Sequence, residues 1–437
     1  MSEIKNLADR IAGGELTAVQ ATQEAIDRIV ARDDEINAVV VRDFDRALDA
    51  ARQADDRLAA GERAPMLGVP MTVKESYDVA GLPTTWGFAE HRDHIATADA
   101  RAVRRLKEAG AIIVGKTNVP PALADFLSVN PVYGATHNPH RHGLSSGGSS
   151  GGSAASLAAG YVCAEIGSDI GGSIRIPAAF CGVWGLKPTF GLVGREGHWW
   201  PGTDGGELNL SVAGPLARTS EDLALLLEII ADHPLPMPRR TSPEGARIAV
   251  ITEHPVAKIS ADVSRVLDEQ CARLEASGAT VDRAPQLPDL AATHRDYVKM
   301  LLTVLSRGNA PEGVTPVTLS AWFDMIDQQA RTSRAWNAAL TDEYDAVLAP
   351  VFGSTAFPLD EVTMDHRTVD IDGEQTPCGA QLAWAGLATY PNLPSVCLPA
   401  GTGSDGLPIG LQLIGRQYAE PELLAIAAGS APGRTSA

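Results

Sequence analysis

The chain has 437 residues and a formal net charge of −18, from 36 basic and 54 acidic side chains. Because binding to phosphate needs a basic patch, this balance argues against a nucleic acid or an anionic membrane as partner. Hydrophobic residues make up 44% of the sequence and charged residues 21%, which is typical of a folded globular protein rather than a disordered one.

The first 120 residues predict helices and short strands. Apolar residues at helical spacing predict helices over Thr17–Val30 and Phe44–Ala60, with a short strand at Ala38–Val41 between them. Segment 67–80, LGVPMTVKESYDVA, is typical of a strand followed by the loop that leaves it. A helix over 99–109 and an apolar strand at Ala111–Val114 follow.

The middle of the chain opens with a Gly/Ser/Ala-rich segment, 143–160. A flexible linker would have this composition. We instead predict a helix over Ala154–Ala159 and a buried strand over Tyr161–Ile166. A further helix is predicted over 220–231, with Ser220 as its N-cap. The Pro-rich stretch 234–242 is short, but it is the best candidate for a linker.

The last 190 residues alternate between strands and helices. The predicted order is strand Ala246–Thr252, helix Val263–Ala276, strand Ala279–Asp282, a helical stretch over about 289–342, strand Ala346–Pro350, and a strand followed by a helix in LPIGLQLIGRQYAEPELLAIA. Such alternation predicts an α/β fold with a mixed, mostly parallel central sheet flanked by helices.

Two short motifs match patterns of well-known enzyme classes. Residues 110–117, GAIIVGKT, match the phosphate-loop pattern GxxxxGK[ST]. The residues AIIV within the match favour a strand rather than a loop. The prolines after Asn118-Val119 cannot readily begin the helix that a phosphate loop requires. Residues 147–151, GGSSG, match the nucleophile elbow GxSxG. No strand clearly leads into a late histidine that could complete that triad, and the ten histidines are interpreted as surface or structural residues. We therefore favour neither reading.

Two neighbouring Ser/Gly-rich segments, 144–160 and 167–189, are better candidates for chemistry. The second segment can turn several backbone N–H groups toward one point beside a nucleophilic hydroxyl, at Ile170, Gly171, Gly172 and Ser173. A plain tight loop would have the same sequence.

A serine nucleophile needs a base, and a neutral lysine can serve. Only seven lysines occur in the chain, and Lys74 lies in the apolar segment GVPMTVKES. Burial could lower its pKa to about 7–8. A buried lysine paired with Glu75 or Asp78 is the alternative. For the other six lysines, low overall lysine content is a sufficient explanation.

Together these segments resemble the amidase signature family. The resemblance rests on GVPMTVKESYDVAGLPTT (68–85), GKTNVP (115–120), SVNPVYGATHNP (128–139), GGSSGGSAA (147–155), GSDIGGSIRIPAAFCGVWGLKPT (167–189), GPLART (214–219) and PIGLQLIG (408–415). It implies one amidase signature domain over 1–437, with a catalytic core at about 65–235 and a helix-rich pocket region at about 289–342.

The resemblance also implies a Ser-cisSer-Lys triad. Ser173 would be the nucleophile, Ser149 would follow a cis peptide from Gly148 and relay the proton, and Lys74 would be the base. The N–H groups of Ile170, Gly171, Gly172 and Ser173 would bind the oxyanion, and Leu123 would contact substrate. Ser150, Asp169 and Arg175 would support the loops. The chain departs from the family pattern at Glu75, Pro121 and Ser146.

The implied function is hydrolysis of a carboxamide through a seryl acyl-enzyme, with no metal and no cofactor. The substrate expected is a small to medium amide with an apolar acyl or aryl group, because six aromatic residues are candidates for the pocket wall. These are Phe126, Tyr133, Trp199, Trp200, Trp322 and Phe323. The alternatives are a glutaminase subunit of a tRNA-dependent amidotransferase, an esterase or carbamate hydrolase of the same family, and a non-enzymatic structural protein.

The expected partner is a small-molecule amide, with a homodimer as an option and no nucleic acid or membrane. The five widely spaced cysteines predict neither a disulfide framework nor a zinc site, and they fit a reducing compartment such as the cytoplasm. The N-terminal sequence has no apolar core and no run of 18 apolar residues occurs, so we expect neither a signal peptide nor a transmembrane helix.

Overall fold

The computed structural model describes residues 1–206, 208–309 and 315–432. Residues 310–314 of the predicted helical stretch lie outside these ranges. The helices of the described chain are α1 (Glu3–Ala12), α2 (Ala18–Ile36), α3 (Phe44–Ala59), α4 (Arg101–Glu108), α5 (Gly151–Ala158), α6 (Arg175–Cys181), α7 (Ser220–Ile230), α8 (Ala261–Ala276), α9 (Leu290–Leu305), α10 (Leu319–Ala338), α11 (Leu382–Thr389) and α12 (Glu420–Ser430).

Strands alternate with these helices along most of the chain. They are β1 (Val39–Arg42), β2 (Pro70–Lys74), β3 (Ile112–Thr117), β4 (Val129–Asn130), β5 (Gly134–Ala135), β6 (His137–Asn138), β7 (Arg141–Ser145), β8 (Ala164–Asp169), β9 (Trp184–Lys187), β10 (Val212–Ala217), β11 (Arg247–Val250), β12 (Thr280–Asp282), β13 (Ala346–Pro350), β14 (Thr368–Ile371), β15 (Glu374–Pro377), β16 (Ser395–Thr402) and β17 (Pro408–Ile414).

The central sheet has the strand order β12-β11-β13-β17-β16-β9-β10-β8. This mixed sheet, with helices around it, confirms the predicted α/β class. The prediction of mostly parallel pairing is wrong. Only β11 pairs in parallel, with β12 and β13, and the other five pairings in this described sheet are antiparallel.

The physical reason lies in two connections. β8 and β9 run in the same direction and are linked through α6, but β10 lies between them and runs opposite to both. β16 and β17 are joined by residues 403–407 alone, and so short a connection permits only antiparallel pairing.

A second, three-stranded sheet has the order β1-β3-β2. β2 and β3 are parallel, and their register places Lys74 opposite Thr117. The segment that matches the phosphate-loop pattern forms β3, and only a short 3₁₀ turn, Pro121–Leu123, follows it. Lys116 is buried within the protein and donates to Pro83 O and Thr84 Oγ1. The structure therefore excludes a phosphate-binding loop here.

Local boundaries differ modestly from the sequence predictions. α5 begins at Gly151 rather than Ala154, and β8 begins at Ala164 rather than Tyr161. The N-cap of α7 is Thr219 rather than Ser220, since Thr219 Oγ1 accepts from Asp222 N at 3.1 Å.

One hydrophobic core spans the linker candidate at 234–242. The same cluster of buried side chains contains Leu227 and Ile230 from before this stretch and Ala246 and Ile248 from after it. Among the described helices, none is both long enough and apolar enough to cross a bilayer.

Candidate active site

Lys74 ends strand β2 and is fully buried. Its Nζ lies 2.7 Å from Ser149 Oγ, 2.9 Å from Ser150 Oγ and 2.9 Å from Ser168 Oγ. The lysine is therefore surrounded by three hydroxyl groups, each of which can either accept or donate a hydrogen bond.

This arrangement suits a neutral amine as well as an ammonium ion. An ammonium would donate to all three hydroxyls, whereas a neutral amine donates twice and accepts once. The Ser150 hydroxyl donates to Ser168 O at 3.3 Å, so Ser150 Oγ accepts from Lys74. Ser149, at the shortest distance, is the best placed to donate its proton to Nζ.

The surroundings of Lys74 favour the neutral form. Burial lowers the pKa of Lys74 well below its ordinary value of 10.5, and the nearby Arg195 lowers it further. Asp169 and Glu165 act in the opposite direction. The alternative pairing with Glu75 is not found, because the Glu75 carboxylate accepts instead from Thr85 N at 2.7 Å and Trp86 N at 3.0 Å.

The Gly/Ser-rich segment before α5 packs tightly and is not a flexible linker. A side chain on Gly148 would clash with Asp125 O, and one on Gly152 would clash with Asn118 N. The Gly148–Ser149 peptide is cis. Ser150 N donates to Ser173 O at 3.1 Å, which joins the two Ser/Gly-rich segments.

Asp169 and Arg175 hold the loop that carries Ser173. Arg175 donates to Asp169 through Nε at 3.0 Å and Nη2 at 2.9 Å, and both side chains are buried. Burial alone would raise the pKa of Asp169, but the charge and hydrogen bonds of Arg175, with Lys187 beyond it, lower it to about 2. Asp169 also accepts from Ile174 N at 3.1 Å, so its carboxylate is bound to the backbone around Ser173.

One of the four predicted oxyanion donors is engaged elsewhere. Gly172 has φ +97°, in the region that favours glycine, and its N–H donates to Asp169 Oδ1 at 2.9 Å. The prediction that Gly172 N–H binds the oxyanion therefore conflicts with this geometry.

Ser149 and Ser173 line one narrow cavity, whose free volume of about 10 Å³ is room for about one water molecule. The predicted residues Leu123 and Ile170 also line it, as does Ser168. Its remaining wall consists of Trp86, Ala122, Arg195, His198, Trp200, Leu208, Ser211 and Leu305.

Comparison with known proteins identifies the family of this chain. The family model described as Amidase matches residues 20–310 and 318–424. The chain belongs to the amidase signature family. The acylamidase of Rhodococcus erythropolis is 32% identical over 97% of this chain and 93% of its own. A glutamyl-tRNA(Gln) amidotransferase subunit from Moorella thermoacetica is 34% identical over 96% of this chain and 93% of its own. A crystal structure of an amidase superposes with a TM-score of 0.83, at 28% identity, over 98% of this chain and 99% of that one.

Within this amidase, the six aromatic candidates separate into different environments. Trp200 lines the cavity at Ser173, and Trp322 lines a neighbouring cavity. Phe126 instead packs edge-on against Phe352 in the core, at a centroid distance of 5.7 Å. Tyr133 donates through its hydroxyl to Glu75 at 3.0 Å, and Phe323 is 59% exposed. Trp199 is half-buried and is not among the residues that line the cavity at Ser173.

One of the ten histidines, all interpreted from the sequence as surface or structural residues, is buried beside Ser149 and Ser173. His198 lines the cavity and lies 2.8 Å, through Nδ1, from Arg195 Nη2. Because a guanidinium can only donate, Nδ1 accepts, and Nε2–H therefore donates to Ser76 Oγ at 3.0 Å. Burial lowers the pKa of His198 well below 6.5, and Arg195 and Lys74 lower it further.

Two of the three departures from the family pattern, Glu75 and Pro121, affect the cavity wall. Glu75 holds the Thr85–Trp86 turn, and Trp86 lines the cavity. Pro121 begins a turn in which Ala122 and Leu123 both have φ +57°, and both line the cavity. Ser146 Oγ is buried, and the described part of the chain offers it no hydrogen-bond partner.

Proposed function

We propose that this amide-hydrolysing enzyme works through a seryl acyl-enzyme, with Ser173 as nucleophile, Ser149 as proton relay and Lys74 as base. The observation that carries the proposal is the 2.7 Å contact of Lys74 Nζ with Ser149 Oγ, in a cavity that Ser149 shares with Ser173. Burial lowers the pKa of this lysine and so favours its neutral form. A neutral lysine beside two serines is a candidate general base.

In the first half-reaction, Ser149 gives its proton to Lys74 Nζ and takes the proton of Ser173. Ser173 Oγ forms a bond to the carbonyl carbon, and the C=O π electrons move to oxygen. When the C–N bond breaks, the leaving nitrogen takes the proton back through Ser149. Water then repeats the sequence on the acyl-enzyme and releases the carboxylate.

The negative charge on the carbonyl oxygen needs N–H donors at the point where it develops. With Gly172 N–H bound to Asp169, we assign this role to the N–H groups of Ile170, Gly171 and Ser173. The Asp169–Arg175 pair supports the same loop, because it fixes the backbone on both sides of Ser173.

The substrate we favour is a small to medium amide with an apolar acyl or aryl group. The side chains of Trp86, Leu123 and Trp200 present apolar surface to the cavity. Leu208 is shared with a second, more open cavity of about 520 Å³, which Val317, Leu319 and Trp322 also line. No cofactor, nucleic acid or second copy enters this scheme, and location in the cytoplasm stays a prediction.

Release of ammonia or amine across a panel of amides, esters and glutamine tests this proposal. We expect apolar carboxamides or anilides to be hydrolysed. Ser173→Ala and Lys74→Ala should each reduce kcat by at least about 10³-fold. Ser277→Ala, at the end of α8 and away from the cavity, should match the wild type. A fluorophosphonate adduct on a serine other than Ser173 would refute the assignment of the nucleophile.

A glutaminase component of an amidotransferase is the second candidate, because a protein of that kind is 34% identical to this chain. This function requires a partner chain that supplies the acceptor for ammonia. Preference for glutamine in the panel, together with stable co-purification of another protein chain, would favour it over the first proposal.

A further inference from the structure

Tyr297 is a fully buried residue outside the proposed triad whose hydroxyl reaches the loop before Ser173. It lies in α9, and its Oη is 2.8 Å from Ile170 O, although the two residues are 127 positions apart in the sequence. A carbonyl oxygen can only accept a hydrogen bond, so the tyrosine donates. Burial raises the pKa of Tyr297, which keeps the phenol protonated and therefore able to donate.

The ring of Tyr297 is held in place by close packing against α11. An added methyl group at Gly386, in α11, would lie 2.6 Å from Tyr297 Cδ1, so the ring occupies the space that the glycine leaves open. The same two helices reach the next residue of the loop. A Cβ atom on Gly171 would lie 3.2 Å from Leu382 Cδ2 and 3.7 Å from Tyr297 Oη. Packed helices therefore fix the position of the hydroxyl at Ile170.

This hydrogen bond sets the orientation of one peptide group. The carbonyl of Ile170 and the N–H of Gly171 belong to the same planar unit, and in a trans peptide the two groups point in opposite directions. In the described chain, the cis peptide is the one between Gly148 and Ser149. Because the Ile170 carbonyl points toward Tyr297, the Gly171 N–H points away from α9.

The N–H groups of the loop differ in what they bind. Gly172 N–H donates to Asp169 Oδ1 at 2.9 Å. Gly171 N–H, by contrast, has no acceptor within the described part of the chain. Ile170 and Ser173, on either side of it, both line the cavity. An N–H group without a protein acceptor, beside the nucleophile, can bind the oxygen on which negative charge develops.

We propose that Tyr297 is a positioning residue for the oxyanion site, because its hydroxyl holds the Ile170 carbonyl and so directs Gly171 N–H at the carbonyl oxygen of the bound amide. The inference rests on the proposed roles of Ser173 as nucleophile and Gly171 as donor. An oxyanion donor lowers the barrier only when it is already aimed at the place where the charge forms. Without the tyrosine hydroxyl, the peptide loses the bond that opposes its rotation.

Tyr297→Phe removes the hydroxyl and keeps the ring. Losing an oxyanion donor outright lowers kcat by about 10²–10³-fold, so a misdirected donor should lower kcat by about 10-fold or more. KM should change by less than about 2-fold, because the interaction strengthens as the charge forms. A trifluoromethyl ketone with an apolar group forms a tetrahedral oxyanion when Ser173 Oγ adds to its carbonyl carbon. Its inhibition constant should rise by the factor by which kcat/KM falls.

Tyr344→Phe is the matched control. Tyr344 is also buried and donates through its hydroxyl, to Asp282 Oδ2 at 2.7 Å, but it is not among the residues that line the cavity. Its kcat and inhibition constant should match those of the wild type. Gly386→Ala tests the placement of Tyr297 by a second route. The added methyl group should push the ring away from Ile170 with the hydroxyl retained, and kcat should fall in the same way.

The experiment measures kcat, KM and the inhibition constant for the three variants, each below its own melting transition. A kcat and an inhibition constant at wild-type values in Tyr297→Phe would overturn the role of Tyr297, as would a raised KM with kcat unchanged. An equal loss of kcat in Tyr344→Phe would overturn it too. If Tyr297→Phe does not fold, Gly386→Ala decides the question. Full activity in Ser173→Ala would instead overturn the proposed nucleophile, so the two failures are distinguishable.

Discussion

The Asp169–Arg175 pair offers the sharpest test of what holds the nucleophile loop. Asp169→Asn keeps the shape of the side chain but leaves the Arg175 guanidinium buried without its counter-charge. Breaking a buried pair in this way typically costs about 3–5 kcal/mol. The depression of the Asp169 pKa from 3.8 to about 2 corresponds to about 2.4 kcal/mol, at about 1.36 kcal/mol per pKa unit. The two figures agree in order of magnitude.

The expected loss can be expressed as a melting temperature. An unfolding entropy of about 2.1 cal/mol/K per residue over this chain gives roughly 0.9 kcal/mol/K, so Asp169→Asn should lower Tm by about 3–5 °C. The control is Asp262→Asn. Hydrogen bonds from Ser404 and Arg265 lower the pKa of Asp262 to about 2 as well, but this carboxylate lies at the surface, and its Tm change should be about 1 °C or less.

The pH dependence follows from the sign of the shift. Because the pKa of Asp169 is depressed on folding, its contribution is complete above about pH 4 and is lost as pH falls toward 2. The Tm difference between wild type and Asp169→Asn, measured by differential scanning calorimetry, should therefore be constant from pH 7 to 5 and narrow below about pH 4. A variant that melts within 1 °C of the wild type at pH 7 would refute the reasoning.

Three further substitutions probe the cavity and the segment before α5. Gly148→Ala should abolish turnover, because the added methyl group would clash with Asp125 O. The control Gly379→Ala, with open space around the added methyl group, should retain the wild-type kcat. Normal turnover in Gly148→Ala would contradict the packing argument. His198→Asn should change KM but leave the shape of the kcat/KM pH profile intact, because a histidine with so low a pKa stays neutral; loss of the acid limb would show that the histidine is the titrating group. Trp200→Ala should raise kcat/KM for a bulky acyl group relative to an acetyl group by about 10-fold or more, and an unchanged ratio would remove Trp200 from the acyl site.

Local sequence pattern predicted individual elements better than their arrangement. Strand Ala346–Pro350 was predicted with its observed bounds, because a short apolar run between polar segments has few other folds. Strand β10 lies between β8 and β9 in the sheet. Tertiary packing, rather than local sequence, decides this order. That pairing direction has no signature in the strands' own residues.

The candidate site shows the same division. Motif resemblance singled out Lys74, Ser149, Ser150 and Ser173, which the structure brings together. Ser168 was missed, although it lies within the quoted GSDIGGS motif, because a serine at the end of a strand is ordinary. Trp86, Arg195 and His198 reach the cavity from turns whose direction depends on distant contacts. The Trp86 backbone, for example, is held by the carboxylate of Glu75.

Burial alone does not distinguish the candidate base among the seven lysines. Lys74, Lys116 and Lys187 are all fully buried, so low lysine content does not account for the latter two. Burial lowers the pKa of Lys116 to about 8 and that of Lys187 to about 7, so all three buried lysines have a lowered pKa. The chemistry of their neighbours separates the three.

Lys187 Nζ donates to Pro188 O at 3.1 Å and Leu393 O at 2.7 Å, and a carbonyl oxygen has no proton to return. Lys116 likewise donates to Pro83 O, with a single hydroxyl beside it at Thr84. Lys74 contacts three hydroxyls, whose hydrogen bonds can reverse when the amine gains or loses a proton. The capacity to act as a base therefore depends on neighbours that can exchange protons. Among the three buried lysines, Lys74 is the one whose three hydrogen-bond partners are all hydroxyl groups.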